Sequence, residues 1–534
     1  MRETALDVVI VGAGFGGLYA LHRLRGLGLK AKALEAGGGV GGTWYWNRYP
    51  GARCDVESLD YCYRFSRELD QDWTWSQRYA PQAEILSYLE HVADRFDLRR
   101  DVELETRVAE AHYDEAAALW RVRAEDGRRW SARFLVMATG CLSRPNRPQL
   151  EGLERFAGRV LYTAEWPHEG VDFSGLRVGV IGTGSSAVQS VPEIAGQAAQ
   201  LTVFQRTPTY SVPANNRPLD PDEVARVKGD WDAFRAEAEA ASAHFDFSDQ
   251  PALAASEEER RRVFDARWDR GGLNFMFSFS DLLTDPEANA TAAGYIRSRI
   301  AEIVADPEVA ERLSPKQTFA CKRLCVDSGY YAAFNRPNVR LVDLLETPIE
   351  QVTAKGLRTS KGEIGLDVLV FATGFDAMTG ALLAIDIRGR DGMALKDAWA
   401  AGPRTYLGLA VAGFPNLFMI TGPGSPSVLC NMVFCIEQHV DWIAGCIAAM
   451  RDRGVAALEA DPEAQDAWVE EVNAIAGGTI FPTCNSWYLG ANVPGKARVF
   501  MPYAGAIPAY RERCDQVAEA GYEGFRLTPA AVPA

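Results

Sequence analysis

Ten cysteines in 534 residues form no Cys-x-x-Cys pair, and none of the six histidines joins them at metal-ligand spacing. A dithiol reductase and a structural zinc site are both disfavoured, and buried reduced thiols are the expected state. Cations are short as well: 56 Lys and Arg face 71 Asp and Glu, for a net charge of −15, with no basic stripe. That excludes a phosphate-backbone partner such as nucleic acid. No stretch approaches the roughly 18 apolar residues of a membrane span, and the first apolar run is short, without a basic flank or cleavage site. The expected location is the cytoplasm, with no membrane partner. What is present is a chain 47% hydrophobic, long enough for two to four domains with large cores.

The chain is organised around its first strand and turn, Val8 to Val11 followed by Gly12, Ala13, Gly14, Phe15, Gly16 and Gly17. Four apolar residues, three of them valine, read as a buried strand. Glycines 12, 14 and 17 provide a tight turn, close backbone approach and close helix packing. The next helix, over Leu18 to Gly26, aims its N-terminal amides at a pyrophosphate. A second strand, Lys30 to Leu34, ends in Glu35, eighteen residues past Gly17, where a carboxylate can accept both hydroxyls of a ribose. The ligand is an adenine dinucleotide with a free 2'-hydroxyl.

Residues Gly41 to Asp55 are dense in aromatics, Gly and Pro. They read either as a rigid surface loop or as a ring-lined wall for a planar cofactor, with Thr43, Trp44 and Tyr49 on the cofactor side. Short alternating segments at Val102 to Thr106, Val108 to Tyr113 and Leu119 to Arg123 predict an antiparallel meander, which runs into a buried strand ending at Met137. Pro145, Pro148 and Gly152 mark a linker.

A second nucleotide unit then repeats the first. Arg177 to Ile181 is a strand, Gly182, Thr183, Gly184, Ser185, Ser186 and Ala187 form the turn, and Leu201 to Phe204 is the next strand. Counting eighteen residues from Ala187 lands on Gln205, with Arg206 and Thr207 next. The ribose carboxylate is replaced by a permanent cation that can fork onto a 2'-phosphate. The second ligand is therefore NADPH and the first FAD, a pairing suited to hydride transfer from nicotinamide to flavin.

Between the two units lies Phe156-x-Gly158-x-x-x-Tyr162-x-x-x-Trp166-Pro167. This resembles the fingerprint of type I Baeyer-Villiger monooxygenases, with tyrosine where the family has histidine. The likeness extends through Gly42-x-Trp44, Tyr49-Pro50-Gly51 and Asp55 to Asp367 and Ala372-Thr373-Gly374, and looks closest to the phenylacetone and steroid monooxygenase branch. It implies an α/β fold of two Rossmann-like domains, an FAD domain over 1–142 and 376–534 and an NADPH domain over 143–213 and 316–375, with a helical insertion at 214–315. Tyr162 and Trp166 become linker residues, and Tyr162 cannot become a cation near neutral pH. Altered coupling between the domains is expected, not a different reaction.

The insertion has helix starts at Asp220-Pro221, Asp285-Pro286 and Asp306-Pro307 and a capping box at Ser256 and Glu259. Its charges read as a solvated face. Lys322 and Arg323 read alone as a surface ion-pair partner set; the resemblance gives Lys322 to the 2'-phosphate and Arg323 to the flavin, oriented by Asp55. There a permanent cation keeps a flavin peroxide anion deprotonated, so that it attacks a ketone carbonyl and yields an ester or lactone. By the same resemblance Leu429, Cys430 and Met432 line the substrate pocket, where the other reading of Leu429 and Met432 is core packing, and Trp487 closes over the cofactor, where the other reading is a core anchor. His439 reads as packing, and Thr528 to Ala534 as a frayed end. The implied protein is a monomeric FAD- and NADPH-dependent monooxygenase taking a medium or bulky small-molecule ketone, aryl or cyclic ones included, and O2, with no metal. Related class B oxygenation of nitrogen or sulfur, an uncoupled NADPH oxidase and a catalytically silent flavoprotein are the alternatives.

Overall fold

A computed structural model describes residues 3–241 and 243–530. Its largest sheet is built on the first strand, Thr4–Val11, whose Val8, Val9 and Ile10 are wholly buried. Burying each such side chain contributes about 1.5–3 kcal/mol, which offsets the ordering of its backbone. Thr4–Val11 pairs in parallel with Ala31–Leu34 on one side and Arg129–Met137 on the other. The meander is Val108–Asp114, Leu119–Ala124 and Arg129–Met137. Val102 differs from the expectation: Val102–Glu103 is a parallel edge strand beside Ala31–Leu34, outside the meander. Leu417–Met419 returns to pair in parallel with the end of Arg129–Met137.

The second sheet is entirely parallel, in the order Val339–Asp343, Gln200–Gln205, Arg177–Ile181, Val368–Phe371 and Arg159–Tyr162. Parallel pairing needs both faces covered, and Val178, Val180, Leu201, Val203, Leu369 and Val370 are wholly buried. A three-stranded antiparallel sheet, Ile349–Thr353, Gly356–Thr359 and Gly362–Gly365, precedes the strand Val368–Phe371.

The helices at 214–315 begin where the caps predict. Asp220, Asp285 and Asp306 each accept first-turn amides ahead of a proline, and Ser256 accepts from the Glu259 amide. This segment is more than a solvated face. Val227 and Trp231 pack into the core of the first sheet, while Phe264, Trp268 and Ile296 pack into that of the second.

Helix Met432–Asp452 is, among the described residues, the one long and apolar enough to cross a membrane, and it is mostly buried against helix Phe15–Gly26 and strand Val455–Ala460. His439 sits wholly buried within it. Its Nδ1 accepts from the Thr421 amide at 3.0 Å, Nε2 lies 3.1 Å from the Tyr510 hydroxyl, and burial pushes its pKa down to about 3. It is a neutral packing residue, as expected. The end of the chain differs: Phe525–Pro529 is a strand paired with Val455–Ala460, and residues 531–534 lie outside the described part.

Candidate active site

At the first turn, a Cβ on Gly12 would come 2.4 Å from the Ala138 carbonyl oxygen, so only glycine lets the ends of two strands meet there. Helix Phe15–Gly26 has neither a side-chain cap nor an acidic residue in its first turn, which leaves its N-terminal amides to an outside anion. Glu35 does more than the spacing suggests. Its two oxygens accept from the Ala13 amide at 2.8 Å and the Gly37 amide at 2.7 Å, which fixes the turn around the ligand seat. Burial raises its pKa, against the pull of those two amides. Thr43 opens a short helix, Thr43–Trp46, and Trp44 is buried with its indole nitrogen donating to the Tyr61 hydroxyl at 3.2 Å. Tyr49 donates to Gln189 Oε1 at 2.8 Å, so the aromatic loop is tied to the helix of the second nucleotide unit.

That helix, Ser185–Gln197, also starts without a side-chain cap or an acidic first turn. A Cβ on Gly184 would meet nothing within 4 Å, which leaves room for phosphate oxygens. Ser186 lies in its first turn, and Ser185 places its hydroxyl 3.5 Å from Cys325 Sγ. Thr183 donates to the Thr207 carbonyl at 2.6 Å, which holds the chain beside exposed Arg206. Burial first, and then the Arg206 cation, lower the Lys322 pKa. Two neighbouring cations, neither ion-paired with a carboxylate among the described residues, suit a dianionic phosphate. Ala372 is buried just past the strand Val368–Phe371, and Thr373 donates to the Asn146 carbonyl at 2.8 Å.

Between the two seats stands Arg323. Its Nε and Nη2 each donate to one oxygen of Asp55 at 2.8 Å, and Nη1 donates to the Val428 carbonyl at 2.6 Å. Burial opposes its charge, but Asp55 outweighs it and holds the guanidinium pKa well above the ordinary value. The cation is thus permanent, planar and fixed on three sides. Val428 leads directly into Leu429 and Met432, which are half-buried against the same apolar cluster as Trp487. Cys430 is buried and its sulfur is joined to Cys435, so it offers no free thiol.

The expectation of reduced cysteines is corrected at four positions. Cys321 joins Cys484, with Cα atoms 6.0 Å apart, and Cys430 joins Cys435; the other six are free and buried. The first pair spans 163 residues and the second is not a Cys-x-x-Cys, so neither leaves a local signature. Cys484 opens the loop that carries Trp487, where Ser486 Oγ and Asn492 Oδ1 are buried without a protein partner. Those two orphaned atoms fit a ligand held under the loop.

The fingerprint residues make close packing contacts. A Cβ on Gly158 would come 2.3 Å from the Asp367 carbonyl oxygen. Tyr162 ends the edge strand of the second sheet, stacked on Phe371 at 5.0 Å with the Arg147 guanidinium 5.0 Å above its ring. Trp166 is buried against Phe173.

A family model for pyridine nucleotide-disulphide oxidoreductases matches residues 9–246. Without a Cys-x-x-Cys, that match speaks to the nucleotide-binding fold and not to dithiol chemistry. Over 522 residues the chain is 46% identical to a Baeyer-Villiger monooxygenase of Pseudooceanicola batsensis, spanning 97% of this chain and 95% of the relative. The chain belongs to the Baeyer-Villiger monooxygenase family. Within that family, a solved structure of oxidized steroid monooxygenase bound to NADP is 54% identical with a TM-score of 0.94, covering 99% of this chain and 100% of that one. This agrees with the steroid-type branch read from the motifs. A phenazine N-monooxygenase of Lysobacter antibioticus is also 42% identical over 533 residues, 98% of this chain and 97% of the relative. Overall likeness to this family therefore does not by itself separate attack on carbon from attack on nitrogen.

Several contacts of the site escape a reading of the sequence. Val428 acts through its carbonyl, which any residue type provides. Gln189 and Asn492 join segments distant in the chain, and no spacing announces them.

Proposed function

We propose that the chain is an FAD- and NADPH-dependent monooxygenase that inserts one atom of O2 beside a ketone carbonyl to give an ester or lactone. Overall, ketone, O2, NADPH and a proton become ester, NADP+ and water. The observation that carries this reading is Arg323, locked by both oxygens of Asp55 and by the Val428 carbonyl at the mouth of an apolar wall.

When bound, FAD reduced by NADPH supplies the activation of O2. The protein's own residues set the direction of the chemistry. Gly12, Gly14, Gly17 and Glu35 seat the flavin dinucleotide, with Thr43, Trp44 and Tyr49 beside the ring system. Gly182, Gly184, Ser185, Ser186, Arg206, Thr207 and Lys322 hold NADPH and select its 2'-phosphate, while Ala372 and Thr373 border the passage between the seats. Arg323 places a fixed positive charge where negative charge develops on oxygen as a carbonyl is attacked. Guanidinium does not surrender a proton at working pH, which favours a nucleophilic oxygen over a protonated, electrophilic one. Asp55 fixes the orientation of that cation. Leu429 and Met432 offer apolar surface to the ketone, with Cys430 behind them, and Trp487 excludes water from above. Tyr162 and Trp166 brace the edge of the NADPH domain, the helical insertion spans both cores, and the enzyme works as a cytoplasmic monomer.

The test is mass spectrometry of products, with a parallel peroxide assay, after the holoenzyme is given NADPH, air and a panel of ketones, sulfides and heteroaromatic amines. Esters one oxygen heavier than their ketones support the proposal. Sulfoxides or N-oxides without ester would replace it with heteroatom oxygenation, the reaction named for the phenazine relative.

A further inference from the structure

The segment from Asp55 to Asp60 and the stretch from Val428 to Asn431 are joined at both ends. At one end Asp55 holds Arg323, whose Nη1 donates to the Val428 carbonyl at 2.6 Å. At the other, Asn431 Nδ2 donates to the Asp60 carbonyl at 2.7 Å. Asn431 is wholly buried, and its Oδ1 accepts from the Val433 amide at 3.1 Å, so the same side chain caps helix Met432–Asp452. Leu429 and Cys430 lie inside this frame, and Met432 is the first residue past it.

The Asp60 corner of the frame is held from a third element. His244 lies just past helix Trp231–Ala241 of the insertion, with Nδ1 2.6 Å from Asp60 Oδ1 and its backbone amide donating to Oδ2 at 3.4 Å. A carboxylate only accepts, so Nδ1 carries the proton and donates. The imidazole is stacked on Phe234, ring centres 3.7 Å apart, which fixes its plane. Asp60 is buried, and both its oxygens are met by this one residue. A buried carboxylate without a partner is costly, so Asp60 follows His244. The same helix grips the next turn of the chain through Arg235, which donates to Cys62 Sγ and Asp70 Oδ2 at 3.1 Å each.

We propose that His244 is a positioning residue for the ketone wall: its hydrogen bond to Asp60 sets where the Asp60 carbonyl holds Asn431, and so where Leu429, Cys430 and Met432 stand relative to Arg323. The consequence for turnover rests on the ketone-oxygenating reading above. The insertion thereby acts on how the ketone is seated, through a hydrogen-bonded chain from His244 to Asp60 to Asn431, while the nucleotide seats are left as they are.

Two substitutions separate the hydrogen bond from the stack. His244→Phe keeps a ring on Phe234 and removes the donor, whereas His244→Asn puts an amide N–H in the place of Nδ1 and removes the stack. In holoenzyme, His244→Phe should raise the KM for the best ketone of the panel about tenfold, with anaerobic flavin reduction by NADPH within about twofold of wild type. His244→Asn should stay within about threefold of wild type in both. The reverse order, with the asparagine variant impaired and the phenylalanine variant intact, would overturn the proposal. Hydrogen exchange of amides 429–435 in enzyme carrying FAD reads the wall without a ketone. His244→Phe should speed it roughly tenfold, the loss of a hydrogen bond to a charged group. Asn431→Ser keeps a capping oxygen but is too short to reach the Asp60 carbonyl, and should speed it similarly. The double variant should go no further than the faster single one. Additive effects, or wild-type exchange in His244→Phe, would refute the chain from His244 to Asn431. If the wild type forms no ester from any ketone, the proposed function fails, whereas the exchange cycle still decides the positioning.

Discussion

Replacing Arg323 by lysine keeps the positive charge and removes the fork. In the protein the guanidinium meets both Asp55 oxygens at 2.8 Å and the Val428 carbonyl at 2.6 Å, three fixed directions from one planar group. A lysine ammonium is a point charge on a flexible stem and cannot satisfy all three positions at once. Losing one hydrogen bond of this charge-assisted kind costs about 1.5–3 kcal/mol, a factor of roughly 10–150. If that loss falls on the step in which negative charge develops on oxygen, ester formation in Arg323→Lys should drop by about that factor. Removing the donor altogether in Arg323→Ala should cost about 100- to 1000-fold or more. Anaerobic reduction of the flavin by NADPH, followed at its visible absorbance in a stopped-flow instrument, should stay largely intact in both. The assay pairs that rate with ester yield by gas chromatography and with peroxide yield. Arg323→Ala making ester at the wild-type rate would refute the role assigned to the cation. A lysine variant as poor as alanine would show that the planar fork, and not charge alone, is required.

Arg206→Ala should raise the KM for NADPH by about 10- to 100-fold through loss of a phosphate contact, with little effect on NADH; equal effects would remove Arg206 from the 2'-phosphate site. Because burial and Arg206 lower the Lys322 pKa, the preference for NADPH over NADH should fade as pH rises, at a pH below the ordinary lysine value of 10.5; steady-state KM ratios across pH measure it. His439 resists protonation until about pH 3, whereas in the unfolded chain it accepts a proton near 6.5. Unfolding therefore takes up a proton between those values, so the contribution to stability is full above pH 6.5 and falls toward pH 3, by at most roughly 4–5 kcal/mol. His439→Gln should flatten the acid side of a plot of melting temperature against pH. Tyr162→Ala should lose the stack on Phe371 and the Arg147 contact, about 1–2 kcal/mol together, seen as a lower melting temperature with the reaction itself unchanged.

Much of the nucleotide-binding architecture was legible in the sequence because it is written in local, repeated chemistry. Glycines at 12 and 182, β-branched runs before them, and an acid or a cation eighteen or nineteen residues after each turn recur in register. The helix starts at Asp220, Asp285 and Asp306 were legible for the same reason, since a cap is a property of adjacent residues. What stayed hidden is non-local. The joining of Cys321 to Cys484, the reach of Tyr49 to Gln189 and the Val428 carbonyl under Arg323 depend on segments far apart in the chain. Val102–Glu103 departs from the expected meander because a two-residue edge strand alternates no differently from a meander strand, and its partner decides its direction. Thr528 and Pro529, expected in a frayed end, belong to the strand Phe525–Pro529, because a short strand of mixed polarity is defined by its pairing with Val455–Ala460.

The central claim is that this site delivers one oxygen atom from O2 beside a ketone carbonyl. Turnover of the holoenzyme with NADPH and a cyclic ketone under 18O2 tests it most directly, with the lactone analysed by mass spectrometry. One heavy atom, confined to the ring oxygen with the carbonyl oxygen unlabelled, is the predicted result. Unlabelled product, or NADPH consumption that ends wholly in labelled hydrogen peroxide across the ketone panel, would contradict it.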